Sequence, residues 1–375
     1  MRKLRITILC MLIIPAMTYA QKKHRKTEII SLIDSVQTTW QAQNSYRHDA
    51  WWDEAMYHTA NMEVYRLTLN SDYLDYSTRW AVHNKWKGAL EPDKNKWEYK
   101  RPLNIHSNVM FADWQICFQT YLDLYAIDPE PQKIARAHEV MDYQISLPKN
   151  DFWYWCDALY MCMPVMTRLY KQTGNTIYLQ KLYEWIQYTD NVMYDKETGL
   201  YFRDRKYVYP HFKSINGKKE FWSRGNGWVI AGLARVLTDL PKDWEHYDFF
   251  LQKYIRMAHA IKERQHADGY WPQNIEDHAE MPSCETSGTG LYTYALAWGI
   301  NNKILDQKEF APTIESAWEY LQNVALLKNH HIGYVQDRGE KAIPNRRITE
   351  KNQTNFGTGC WLLAAVEYCK FLKKK

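Results

Sequence analysis

Residues Trp222-Ser223-Arg224-Gly225-Asn226-Gly227-Trp228 bring two indoles, one guanidinium and two glycines into seven positions. Tryptophan offers a flat face to a sugar ring, arginine presents a planar fork that matches a carboxylate, and glycine lets a backbone approach a ligand closely. Trp222, Arg224, Asn226 and Trp228 therefore read as binding residues, and the ligand they suit is an anionic sugar. The same stretch could instead shape the turn into an apolar helix beginning at Val229, with both indoles as core. Arg224 would then have no purpose.

A second constellation is Trp153-Tyr154-Trp155-Cys156-Asp157, where one carboxylate follows three aromatics at the head of an apolar helix. Aspartate at such a point commonly caps the helix. Enclosed by aromatic rings, it would instead have its pKa raised by desolvation, as a general acid needs. Asp157 is the candidate acid, with Trp155 beside the ligand. Asp113, in Phe111-Ala112-Asp113-Trp114, stands at the head of another apolar helix. Two carboxylates at equivalent helix ends could face one cavity, as acid/base pairs do in sugar-processing enzymes. In Ser283-Cys284-Glu285-Thr286-Ser287-Gly288, small residues leave room for a ligand, and Glu285 and Thr286 offer hydrogen-bond partners.

Other chemistries lack their residues. The histidines are scattered without ligand spacing, and no H-E-x-x-H or paired-cysteine pattern occurs, so no metal is expected. There is no G-x-S-x-G, Walker or dinucleotide motif, and no cofactor is expected. Six cysteines follow residue 20, at Cys117, Cys156, Cys162, Cys284, Cys360 and Cys369, most among large apolar residues that favour free thiols over a disulfide framework.

The elements that must position these groups read at helical period. Met56–Leu69, Asp113–Tyr125, Ala158–Tyr170, Val229–Leu237, Leu291–Ile300 and Trp361–Leu372 are strongly apolar, and more polar helices alternate with them. The polar set is Tyr73–Lys85, Lys133–Ile145, Tyr178–Val192, Phe249–Gln265 and Phe310–Val324. Five hairpins can be traced, and the final apolar helix can close a ring with the first segment. The expected architecture is all-α, with twelve helices in two concentric layers and the glycine-rich and aromatic connections collected at the mouth of the inner one.

The chain opens with Arg2, Lys3 and Arg5, an apolar run Ile6–Ile14 and Thr18-Tyr19-Ala20, the pattern of a secretory signal over residues 1–20. Residues 21–375 are then one catalytic domain in a secreted, periplasmic protein. Without the first twenty residues, 45 Lys and Arg stand against 43 Asp and Glu, a net charge of +2. That balance points to neither nucleic acid nor membrane insertion.

Trp155-Cys156-Asp157-Ala158-Leu159-Tyr160-Met161, Phe221–Trp228 and Glu285-Thr286-Ser287-Gly288-Thr289 together resemble glycoside hydrolase family 105, the unsaturated rhamnogalacturonyl hydrolases and relatives. The resemblance runs from about Trp51 to the C-terminus. It implies an (α/α)6 barrel of six helical hairpins and hydration of a 4,5-unsaturated terminal uronate in lyase-generated oligosaccharides, without metal or cofactor. It further implies Asp157 as general acid/base, Arg224 on the uronate carboxylate and Trp222 and Trp228 stacked on the ring. The implied sugar is unsaturated galacturonate linked to rhamnose; an unsaturated glucuronate from ulvan, a glycosaminoglycan or a plant side chain would present the same ring and carboxylate. Two departures stand out. Asp113 is followed by Trp114 where many relatives carry a second aspartate, and Arg203-Asp204-Arg205-Lys206-Tyr207 replaces the H-x-x-W element of some rhamnogalacturonyl hydrolases. A toroidal sugar isomerase or epimerase would need histidines on its inner helices, and a non-catalytic sugar-binding module would not need Asp157.

Overall fold

The computed structural model describes residues 19–100, 105–280, 283–343 and 346–372. The expected export signal, residues 1–20, lies outside the described residues apart from Tyr19 and Ala20.

Twelve α-helices occur among the described residues. The inner set is α2 (Trp52–Thr68), α4 (Cys117–Ile127), α6 (Asp157–Thr173), α8 (Ser223–Asp239), α10 (Thr286–Asn301) and α12 (Asn355–Phe371). The outer set is α1 (Tyr19–Gln43), α3 (Ser71–His83), α5 (Ala135–Ser146), α7 (Ile177–Met193), α9 (Tyr247–Lys262) and α11 (Gln307–Tyr320). Each inner helix packs on the next, and α12 returns to α2, so the ring closes. Helix α1 completes the sixth hairpin by packing on α12. The architecture is the expected (α/α)6 barrel.

The two layers follow from where apolar groups fall. In α10 every residue from Thr286 to Ile300 is buried, because the helix meets neighbours on all sides. In the outer α3, burial is confined to Tyr73, Tyr76, Ser77, Trp80 and Ala81, one face at helical spacing. Helix ends are closed locally. Asn70 caps α3 through the Asp72 amide, Asp306 caps α11 through the Glu309 amide, and Gly174 ends α6 in the left-handed region at φ 68°.

One expectation about the mouth changes. The glycines of the Trp222–Trp228 stretch lie inside α8, not in a connection before it. A β-carbon on Gly225 would come within 2.9 Å of Cys156 Sγ, and one on Gly227 within 3.0 Å of Leu291. They let α8 close against α6 and α10, so helix packing and not ligand approach accounts for them.

At the opposite end, the last turns of the inner helices carry an ion-pair lattice. Arg66 bridges Glu63 at 2.8 Å and Asp123 at 2.6 Å, and Arg168 reaches Asp123 at 3.3 Å and Asp239 at 3.6 Å. Burial pushes the Glu63 carboxyl up, but Arg66, Arg235, Lys370 and Arg168 outweigh it and bring its pKa down to about 2. A carboxylate depressed in the folded state stabilises it above the unfolded value, and the contribution is lost as pH falls toward 2. Glu63→Gln is expected to lower the unfolding free energy by roughly 3 kcal/mol at pH 7, the deficit shrinking below about pH 4.5; urea denaturation across that range measures it.

Candidate active site

The N-terminal ends of the inner helices gather the chemistry. Asp157 is the first residue of α6, preceded by Cys156 at the N-cap position, whose side chain makes no capping hydrogen bond. Its neighbours are Cys156 Sγ at 3.3 Å from Oδ2 and Arg203 Nε at 3.9 Å. Burial raises its pKa, while Arg203, the Cys156 thiol and Arg224 draw it back. Asp113 sits in a 3-10 turn, Ala112–Trp114, ahead of α4, and not in the helix expected to begin there. Burial pushes its carboxyl well above the usual range, and the Asp157 charge pushes it further; Arg203 opposes both. Burial thus makes both carboxyls readier than usual to hold a proton, the Asp157 charge adds to this at Asp113, and Arg203 opposes the rise at both.

Arg203 was not among the expected site residues. It arrives on the segment after α7, where the Cys156 amide donates to the Arg203 carbonyl at 2.8 Å and Trp155 forms a bridge with Asp204. Its Nη1 also pairs with Asp204 at 2.5 Å and Glu340 at 3.4 Å. Asp53 and Trp52, at the start of α2, complete the mouth. The Asp53 charge acts on Asp113, and Arg338 pairs with Asp53. Asp53 could have been found from the sequence: it follows a tryptophan at the head of an inner helix, as Asp157 follows Trp155 by two.

The other expected residues are present at this end, but many are occupied by the protein itself. Arg224 is 1% exposed, and its Nη1 and Nη2 donate to the carbonyls of Gln336 at 2.8 Å and Asp337 at 3.0 Å. Its guanidinium lies over the Trp222 and Phe356 rings, 4.6 and 4.8 Å from their centroids. Trp222 donates through Nε1 to Gln336 Oε1 at 2.7 Å. Both residues therefore hold down the segment that follows Tyr334. Asn226 accepts from the Tyr201 amide and donates to its carbonyl, each at 2.9 Å, which fixes the chain two residues before Arg203.

Glu285 caps α10 through the Ser287 and Gly288 amides at 3.0 and 2.7 Å and accepts from the Gln336 amide at 3.1 Å. Thr286 donates to the Gly333 carbonyl at 2.8 Å. Trp228 is buried between Tyr160, at 4.9 Å, and Trp52, at 6.5 Å. Trp155 stacks on Phe111 at 4.6 Å.

A cavity of about 400 Å³ opens beside Arg203 and is lined by Phe111, Tyr154 and Trp155. A larger one, about 680 Å³, lies over the ion-pair lattice at the far end of the barrel, away from both aspartates. The smaller cavity adjoins the chemistry. The described residues contain no group of three or more His, Cys, Asp or Glu placed to hold a metal ion. The six cysteines are free thiols, and all but Cys284 are buried.

A helical barrel with paired, desolvated carboxyls at its mouth defines a carbohydrate-active hydrolase of the (α/α)6 class. The model of Glycosyl Hydrolase Family 88 matches residues 20–372, and the chain belongs to that family, the unsaturated uronyl hydrolases. An unsaturated 3S-rhamnoglycuronyl hydrolase from Formosa agariphila is 31% identical over 98% of each chain. A family 88 glycosyl hydrolase from Bacteroides vulgatus is 47% identical over 92% of this chain and 99% of its own, with a TM-score of 0.91. A protein described as a polysaccharide lyase is 48% identical over 94% and 99%, also at 0.91.

These findings correct the resemblance to family 105. A family 105 hydrolase from C. acetobutylicum is only 20% identical at a TM-score of 0.70, a likeness of fold alone. Several of the motif residues that carried the resemblance build the barrel mouth in this chain, as Asn226 and Glu285 do.

Arg224→Met is expected to lower stability by roughly 3 kcal/mol, the worth of two buried hydrogen bonds from a charged donor. It should also speed amide hydrogen exchange over residues 336–343; exchange unchanged there would remove Arg224 as the strut of that segment.

Proposed function

We propose that this enzyme hydrates the double bond of a terminal 4,5-unsaturated glucuronyl residue carried on rhamnose in lyase-generated oligosaccharides. The observation that carries this reading is the Asp113/Asp157 pair, two carboxyls at one end of the barrel that burial makes readier than usual to hold a proton, with Arg203 opposing the rise at both. The name of the Formosa agariphila relative, a rhamnoglycuronyl hydrolase, supports a uronate joined to rhamnose, and with the family 105 resemblance corrected the galacturonate tied to it gives way to the glucuronyl alternative.

The steps follow from one proton held between two carboxyls. The protonated member delivers its proton to C4. The ionised member takes a proton from the water that adds to C5. One water is consumed, and the pair ends with its proton exchanged from one aspartate to the other. The product is a hemiketal at C5, which opens by breaking the C5–ring-oxygen bond; the hemiacetal left at C1 then releases the neighbouring sugar. Arg203 opposes the rise in pKa at both carboxyls and so keeps one of them ionisable as the base. The signal pattern over residues 1–20 supports export to the periplasm, where such oligosaccharides would be met.

A second reading has one observation in its favour, the 48% identical protein described as a lyase. A lyase takes the C5 proton and expels the group at C4, creating the chromophore that hydration destroys. The sign of the ultraviolet absorbance change separates the two. Hydration predicts loss of absorbance from unsaturated glucuronyl-rhamnose; a rise from saturated polysaccharide, with no loss from the unsaturated disaccharide, would establish elimination instead.

Asp157→Asn and Asp113→Asn should each reduce kcat by about 10²–10⁴-fold. The double variant should lose little more than either single one, since the two act as a unit. Additive losses would contradict a shared proton. Arg203 lowers the pKa of both carboxyls, so Arg203→Met should make them hold protons to higher pH and move the alkaline limb of the pH–rate profile upward. A shift the other way would remove Arg203 from that role.

A further inference from the structure

The ion-pair lattice at the far end of the barrel surrounds a cavity of about 680 Å³, walled by the last turns of all six inner helices. We propose that this cavity is a binding site for a phosphate group, free or carried on a small organic monoester, and separate from the catalytic mouth. Its size falls within the range of small-molecule sites, roughly 300–1,000 Å³. The assignment does not depend on the reaction carried out at the other end.

The charges on its wall leave one cation over. Glu63 and Asp123 pair with Arg66 at 2.8 and 2.6 Å, Asp239 with Lys171 at 2.8 Å and Glu367 with Lys370 at 2.6 Å, while Arg168 shares Asp123 and Asp239. Arg235 has no such partner. Its side chain is 2% exposed, and its Nη2 stands 3.7 Å from Glu63 Oε1, too far for a hydrogen bond. Its Nη1 donates to Gln119 Oε1 at 3.3 Å, but Nη2 and Nε are buried without a hydrogen-bond partner among the described residues. The C-terminal helix ends around the cavity favour cations there, yet none of their carbonyls accepts from these two nitrogens. A buried guanidinium with unmet donors costs stability unless something bound accepts from it, and its planar fork suits the oxygens of a phosphate.

An unmet acceptor narrows the class of anion. Asp123 gives Oδ1 to Arg66, and its Oδ2 is buried without a hydrogen-bond partner among the described residues. Asp123 and Arg235 line the same cavity, and each feels the other's charge. A fully ionised sulfate has no proton to give that oxygen and is repelled by it. Inorganic phosphate near neutral pH still carries a proton, which it can donate to Asp123 while its bare oxygens accept from Arg235. Unmet donors and an unmet acceptor in one cavity therefore select a protonated oxyanion.

The test is calorimetric titration of the full-length wild type with sodium phosphate, glycerol phosphate and sodium sulfate at pH 7 and equal ionic strength. Inorganic phosphate should fill one site per chain and bind about tenfold more tightly than sulfate, the worth of one hydrogen bond to a charged group. Whichever of phosphate and its glycerol ester binds more tightly names the source of the group. Arg235→Gln should weaken phosphate binding by about tenfold or more. Should that variant fail to fold, Ala126→Glu decides, because Ala126 is exposed on the cavity's rim and a carboxylate there repels the anion without replacing any member of the lattice. It should weaken binding roughly threefold, the effect of one exposed charge, and less as salt is raised. No saturable phosphate binding, sulfate bound as tightly as phosphate, or affinity untouched by both variants overturns the site. Binding lost in Arg203→Met but kept in Arg235→Gln would place the anion at the catalytic mouth and overturn it equally.

Discussion

The structure turns on two carboxyls, Asp157 buried and Asp113 half-buried, at the mouth of a helical ring. Left to themselves, two such acids that feel each other's charge resist ionising together, and leaving both protonated would give no base. Arg203 resolves this by lying near Asp157 while its other nitrogen is held by Asp204 and Glu340. The proposed reaction draws on this arrangement for both an acid and a base, from two residues of the same type.

Much of the surrounding chain serves to hold that arrangement. Asn226 pins the segment that ends in Arg203, and Arg224, Trp222 and Glu285 pin the segment that carries Arg338 and Glu340. Those two segments supply the cations and counter-charges that face Asp53, Asp113 and Asp157. The motif expected to grip the sugar thus does much of its work one layer back, and its glycines let α8 approach its neighbours closely enough for these bonds to form. The lattice at the far end of the barrel closes the ring there, so each end of the six inner helices has its own charged network with the apolar core between them.

The helical period and the alternation of apolar and polar segments were enough to reach the twelve-helix ring, because burial on all sides and burial on one face leave different patterns. Helix starts were harder. Ser223 and Thr286 begin helices that polarity places several residues later, since glycine and small polar residues look like connections until the packing they permit is seen. Asp157 and Asp113 stood out as candidates from their aromatic surroundings, and the fold brings the two within reach of each other's charge. Arg203 was not, because its role depends on a chain segment that reaches the site only through backbone pairing with Trp155 and Cys156. The difference between Arg224 as ligand contact and Arg224 as strut was equally out of reach, since a guanidinium that binds a carbonyl and one that binds a carboxylate have the same sequence.

The claim that the pair acts on the double bond and not on the glycosidic bond can be tested with one substrate. An unsaturated glucuronyl compound whose link to the second ring is carbon and not oxygen cannot lose its leaving group, yet it can still take up water. Wild-type enzyme should abolish its ultraviolet absorbance, with the water oxygen found at C5 and the two rings still joined. Absorbance that persists on this compound, while the oxygen-linked one is cleaved, would mean that the enzyme displaces the leaving group directly.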